Sequence, residues 1–277
     1  MSGMRHTIFL LVALVAATTV GCGKKDKAAP EKSRPKVSLS TLTPQSPVSV
    51  KQLFDQNNKD HIIIEIAIRK SIHKPTGELT NTDFEKVRVL DLHGNMISDL
   101  TPLAVLINLE ELWLNKNQIN DLKPLMGLKK LKGLALNNNQ IKDLAPLSGL
   151  KELEYLTIQN NKITDLAPLA ELKGLEVIDL RDNQVTDLTP MAGMLQVKWL
   201  SVEGNQLNDE QLQHLKRLAK LELLGLSFNQ ISDLGHLSKL SKLGHLLLFG
   251  NPNLTQSQVD KLQKALPKCT IGHNVLK

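Results

Sequence analysis

The chain has 277 residues and a formal net charge of +6, but its 34 Lys/Arg and 28 Asp/Glu are unevenly placed. Residues 1–49 hold seven Lys/Arg against two acidic residues, so residues 50–277 carry 27 against 26. A near-neutral domain offers no basic footprint for nucleic acid. The eight histidines are scattered and neither a Gly-rich phosphate loop nor zinc-ligand spacing occurs, so no cofactor, metal site or catalytic constellation is expected and the chain is not read as an enzyme.

Residues 1–21 carry Arg5 and then an apolar run of 13 residues from Ile8 to Val20. That run is shorter than the roughly 20 residues a spanning helix needs and predicts an export signal. It ends in Thr19-Val20-Gly21-Cys22, which resembles the lipobox of bacterial lipoproteins, with Thr19 in place of the usual leucine. The resemblance implies a lipid on Cys22 and anchoring to a membrane of the bacterial cell envelope, the outer one in a two-membrane organism because Gly23 follows the cysteine. The alternative is ordinary cleavage and secretion. With Cys22 lipidated, Cys269 has no internal disulfide partner and reads as a buried residue rather than a reactive thiol. Residues 22–49 are polar, lack aromatics and contain Pro30, Pro35, Pro44 and Pro47, the composition of a disordered tether. Its lysines suit an anionic membrane surface, or merely a soluble spacer.

Residues 50–89 predict an amino-terminal helical cap. Ile62, Ile63, Ile64, Ile66, Ile68 and Ile72 supply one buried helical face and part of a second, and Lys74-Pro75-Thr76-Gly77 stops the helix. Such a cap covers the open end of a stacked array.

Residues 90–277 are organised by a pattern LxLxxNxIxDLxPL whose marker leucine or isoleucine recurs at 90, 112, 134, 156, 178, 200, 224 and 246. Self-similarity at this period predicts a solenoid of eight repeats and a carboxy-terminal cap. In Leu90-Asp91-Leu92 the alternation predicts a short strand, stacked in parallel with its neighbours. The column Asn95, Asn117, Asn139, Asn161, Asn183, Asn205, Asn229 and Asn251 falls where the chain turns through the interior, and a buried Asn ladder would satisfy that backbone. An Asp four residues later, followed by Pro in five repeats, predicts short 3-10 returns on the opposite side. Two segments, starting at Asn208 and Thr255, lack the Pro and are expected to be α-helices.

The pattern resembles the leucine-rich repeat family, specifically its internalin-like class with 22-residue units, over about residues 50–277. The run Ala67–Gly77 followed by Asp83-Phe84 looks like the cap of that class, and Leu266–Ile271 like its closing strand. The resemblance implies an α/β fold: a right-handed, curved leucine-rich repeat horseshoe with a parallel concave sheet that holds protein partners, in a chain expected to be monomeric. A sorting motif of the LPxTG kind and a further domain after the repeats are not seen, which weakens the analogy with the family's invasion proteins.

Relative to each marker, offsets −2, −1, +1, +3 and +4 should face the concave side. Five of the seven aromatics in residues 50–277 fall on these 40 positions: Trp113, Tyr155, Trp199, Phe228 and Phe249. Exposed rings are costly unless used, so a protein-binding surface is expected, with incidental placement outside a narrow aliphatic core as the alternative. Partner-binding candidates are these five with Arg181, Leu223 and Leu247. Trp199 should neighbour Leu223 and come within reach of Phe228 and Phe249, making one apolar centre edged by Arg181 and Asp182. A scaffold without a discrete partner site, and an adhesin-like ligand for a host surface, are the competing functions.

Overall fold

The computed structural model describes residues 53–275. The export segment, Cys22 and the tether expected above lie outside them. Nine three-residue strands form one parallel sheet in chain order: β1 (Val89–Asp91), β2 (Glu111–Trp113), β3 (Gly133–Ala135), β4 (Tyr155–Thr157), β5 (Val177–Asp179), β6 (Trp199–Ser201), β7 (Leu223–Gly225), β8 (His245–Leu247) and β9 (Thr270–Gly272). Each marker pairs with the next, Leu90 with Leu112 and so on to Leu246 with Ile271, so the same offset in successive repeats forms a column across the sheet. The eight repeats are therefore closed by a ninth strand from the carboxy-terminal cap.

Strands this short cannot stabilise themselves; the repeat is held by what lies behind them. In the first repeat Leu90, Leu92, Ile97, Leu100, Leu103, Leu106 and Leu109 are all at most 1% exposed. Each such side chain contributes about 1.5–3 kcal/mol of transfer free energy before chain entropy is subtracted, so the core forms only by stacking.

The turns after the strands are bridged by asparagine. From Asn117 to Asn251, each side-chain Oδ1 accepts a backbone N–H of the preceding repeat, as Asn139 does from Ile119 and Asn251 from Ile231. Each Nδ2 donates to carbonyls of its own and the preceding repeat, as Asn139 does to Leu136 and Leu114. Asn95 has no repeat before it; it is half-buried and its Nδ2 donates locally to the His93 carbonyl.

The returns are 3-10 turns: Thr101–Val105, Lys123–Leu125, Ala145–Leu147, Ala167–Leu169, Thr189–Gly193, Asp209–His214 and Gly235–Leu237. In six repeats the Asp carboxylate accepts the N–H two residues on, as Asp143 does from Ala145 at 2.8 Å. The helix expected at Asn208 is a correction: Asp209–His214 is 3-10, while Gln256–Ala265 is α-helical. The reason is the spacing of buried side chains. Leu212, Leu215, Leu218 and Leu221 recur every three residues, the 3-10 period, whereas Val259, Leu262 and Leu266 follow i, i+3, i+7. Asp209 consequently leaves the usual role and clamps the next repeat, accepting from the Ser232 N–H, the Ser232 hydroxyl and the Asp233 N–H at 2.6–3.0 Å.

The cap repeats that device. Helix α1 (Lys59–Ser71) presents Asp60, which accepts from the Ser98 N–H, the Ser98 hydroxyl and the Asp99 N–H at 2.8–3.0 Å. His61 Nε2 lies 3.0 Å from Asp99 beside it. Of the six isoleucines expected inside, only Ile64 and Ile68 are fully buried and Ile66 is 60% exposed, because the cap covers the first repeat along one face of the helix alone. The helix also ends before Lys74-Pro75, capped at Ile72 with His73 left-handed. After it, α2 (Asn81–Phe84) is started by a capping box in which buried Asp83 accepts from Thr80. Ion pairs with Lys74 and Lys86 hold the Asp83 carboxyl well below the usual carboxylate range. No helix among the described residues is long and apolar enough to cross a membrane.

Candidate concave binding face

The columns at offsets −1, +1, +3 and +4 form the open face of the sheet, and each has its own chemistry. The −1 column reads Val89, Glu111, Gly133, Tyr155, Val177, Trp199, Leu223 and His245. Tyr155 and Trp199 are half-buried with Val177, 2% exposed, between them, and Leu223 stands beside Trp199 on the next strand. Four adjacent strands thus carry one apolar stripe. The −2 positions edge it with paired charges, including Lys132 to Glu110 at 3.2 Å and Lys198 to Glu176 at 2.8 Å.

The other apolar candidates lie elsewhere. Phe228 and Phe249 sit at offsets +4 and +3, and Leu247 at +1, on β7, β8 and the turns after them. Phe228 follows Leu223, the partner of Trp199 in register, by five residues and lies in the turn beyond the end of β7. In register, the apolar candidates divide into the −1 stripe through Trp199 and a patch at offsets +1 to +4 formed by Leu247, Phe249 and Phe228. The period-two pattern holds through the strands and fails at +4, where the left-handed backbone turns Phe228 outward. Trp113, on β2 at offset +1, belongs to neither: the −1 stripe starts at Tyr155 on β4 and the other patch lies on β7, β8 and their turns.

On the preceding repeats, in the same columns as the Phe228 patch, lies a polar cluster. Arg181 is 6% exposed and fixed against Asp179, 2% exposed, by Nε to Oδ1 at 2.9 Å and Nη2 to Oδ2 at 2.7 Å. It forms the floor of the face and not a free contact at its edge. Burial disfavours its charge, yet the Asp179 carboxylate, with Glu203 and Asp182 nearby, raises its pKa above the ordinary value. Glu203, on the next strand's turn, is pushed up by burial, partly offset by Arg181 and the Ser227 hydroxyl.

The +4 column is the feature that sequence reasoning missed. Gly94, Lys116, Asn138, Asn160, Asp182, Gly204, Phe228 and Gly250 all have left-handed φ, between 53° and 73°. The signal was present: six of the eight are Gly, Asn or Asp, the residues that adopt this conformation at least cost. Phe228 is the outlier, a bulky aromatic held left-handed and 59% exposed. Its ring occupies the space over Gly250, where a Cβ would collide with it, and the Phe249 ring lies over Gly272 in the same way. On the +3 column Asn115 accepts the Asn137 N–H and Asn137 the Gln159 N–H, each at 2.8 Å, a second ladder that positions the turns.

Comparison with known proteins agrees with this architecture. The family of Leucine Rich repeats (2 copies) matches residues 85–127, 107–149, 129–171 and 151–193. Internalin C2 from Listeria monocytogenes is similar at 29% identity and a TM-score of 0.72, over 81% of this chain and 96% of that one. The leucine-rich repeat protein LIC12759 from Leptospira interrogans is similar at 27% identity and a TM-score of 0.58, over 68% of this chain and 55% of that one. No match was found among curated protein sequences. The matched repeats, the uninterrupted marker columns and the nine-stranded parallel sheet give this chain a leucine-rich repeat solenoid fold, similar to that of internalin C2.

Proposed function

We propose that this protein is an exported binding module, anchored to the bacterial envelope by a lipid on Cys22, that holds another protein on the concave face of its sheet. Phe228 carries the proposal. A bulky side chain in the left-handed region costs on the order of 1–2 kcal/mol, and here the strain is spent on exposing a ring. The other left-handed positions of the column, apart from Lys116, avoid that cost with Gly, Asn or Asp. Leucine-rich repeat folds commonly serve protein–protein binding, and the Tyr155–Leu223 stripe and the Phe228, Leu247 and Phe249 patch supply the aromatic anchors such interfaces use.

Phe228→Asn separates function from folding, because Asn accepts the left-handed backbone. The unfolding free energy should stay within about 1 kcal/mol of wild type or rise, while the partner cross-linked to the full chain in intact cells should fall at least tenfold. Equal partner recovery from the variant would oppose the proposal. The anchor is tested separately: Cys22→Ser should move the protein from the membrane fraction to the soluble fraction, and mature protein with an unmodified Cys22 would oppose lipidation.

A further inference from the structure

The charge of the domain is segregated. The five concave offsets of the eight repeats hold five Lys/Arg and nine Asp/Glu, whereas the remainder of residues 50–277 holds 22 against 17. A domain near neutral overall thus turns a net charge of −4 toward the concave side. Four of the five concave cations are already matched: Arg88 and Lys132 to Glu110, Arg181 to Asp179 and Lys198 to Glu176. The surplus of carboxylates is greatest beside the Phe228 patch, where Asp179, Asp182 and Glu203 surround the single guanidinium of Arg181.

Two carboxylates of this cluster lie over glycine. The Asp182 carboxylate covers Gly204 and the Glu203 carboxylate covers Gly225, positions where any Cβ would collide with them. Without glycine there, neither could lie low on the sheet. Beside Glu203 is the Ser227 hydroxyl, 1% exposed, which makes no hydrogen bond of normal geometry among the described residues although it is near enough to lower the Glu203 pKa. The Ser227 hydroxyl can donate to the Glu203 carboxylate, whose remaining acceptor capacity stays open to a donor from a partner.

We propose that the partner is cationic at this point: a Lys or Arg side chain of a bound polypeptide enters between Asp182 and Glu203, with the flanking apolar residues of that polypeptide against Phe228, Leu247 and Phe249. This deepens the concave-face function proposed above and rests on it. Arg181 alone does not balance the cluster: its Nε and Nη2 are held by Asp179, and Asp182 and Glu203 share the same single positive charge. An incoming cation would instead complete the charge balance of the cluster and favour the ionised form of Glu203, which burial disfavours. Binding therefore strengthens as pH rises through the Glu203 titration and weakens with salt.

Phage-displayed random dodecapeptides, selected on the full chain and counter-screened on Phe228→Asn, test this. The Phe228-dependent peptides should carry net positive charge, with Lys or Arg beside an apolar residue. A synthetic representative should bind Asp182→Asn/Glu203→Gln at least tenfold more weakly than wild type and bind the convex variant Glu171→Gln unchanged. Neutral or acidic Phe228-dependent peptides would overturn the cationic assignment while leaving the concave face as a binding surface. Cationic peptides indifferent to the double variant would overturn the Asp182–Glu203 placement. Failure to select any Phe228-dependent peptide would overturn this proposal together with the function on which it rests.

Discussion

Asn161→Ala lowers the unfolding free energy by about 1–3 kcal/mol, a large part of the margin that holds a domain folded. The Asn161 side chain accepts from the Ile141 N–H at 3.0 Å and donates to the carbonyls of Leu136, Ile158 and Gln159 at 3.0–3.1 Å. It therefore joins two repeats through backbone groups that have lost their sheet partners and are shut off from water. Alanine leaves those groups unpaired and cannot admit solvent in compensation, because the neighbouring positions are leucine and isoleucine at 0% exposure. The control must respect local geometry. Asn160 is exposed but left-handed with φ of 53°, so Asn160→Ala would introduce backbone strain of its own. Asn160→Gly keeps the conformation and should change stability by no more than about 0.5 kcal/mol. Denaturant unfolding of the two variants measures the difference, and equal losses would mean that the ladder does not join the repeats as described.

The ladder was legible in the sequence because one residue type recurs in register at a position where only a side chain with both donors and acceptors would serve. The strands were legible for a similar reason: Leu90-Asp91-Leu92 and its counterparts can bury only one face. The 3-10 turn at Asp209–His214 was misjudged because the absence of Pro was weighed above the three-residue spacing of Leu212, Leu215 and Leu218. In the cap, six isoleucines implied more buried surface than one helix face could supply, and Ile66 remained outside. The concave face was legible within the strands but not in the turns after them. Trp199 lies within β6, whereas Phe228 lies beyond the end of β7 in a left-handed turn where strand alternation no longer holds. The pairing of Arg181 with Asp179 was hidden because offsets +1 and +3 appear in sequence as two independent outward positions, although a long side chain can bend back along its own strand.

The second large effect is on binding. Trp199 is half-buried, between Val177 and Leu223 in its column, and Leu200 beside it in sequence points into the core at 0% exposure. Adjacent residues therefore serve opposite purposes. Truncating an aromatic anchor of an interface costs about 2 kcal/mol or more of binding free energy, roughly thirtyfold in affinity. Truncating a buried leucine costs about 2–5 kcal/mol of stability. Lys142, exposed on the far side of the repeat, should matter to neither.

The most direct test of the concave face as a binding surface is thermal unfolding and in-cell cross-linking of the partner, measured together on Trp199→Ala, Leu200→Ala and Lys142→Ala. The fold predicts a near wild-type melting temperature with lost partner for Trp199→Ala, a lowered melting temperature for Leu200→Ala, and no change for Lys142→Ala. A Trp199→Ala protein that loses stability as severely as Leu200→Ala, or that retains its partner while folded, would contradict it.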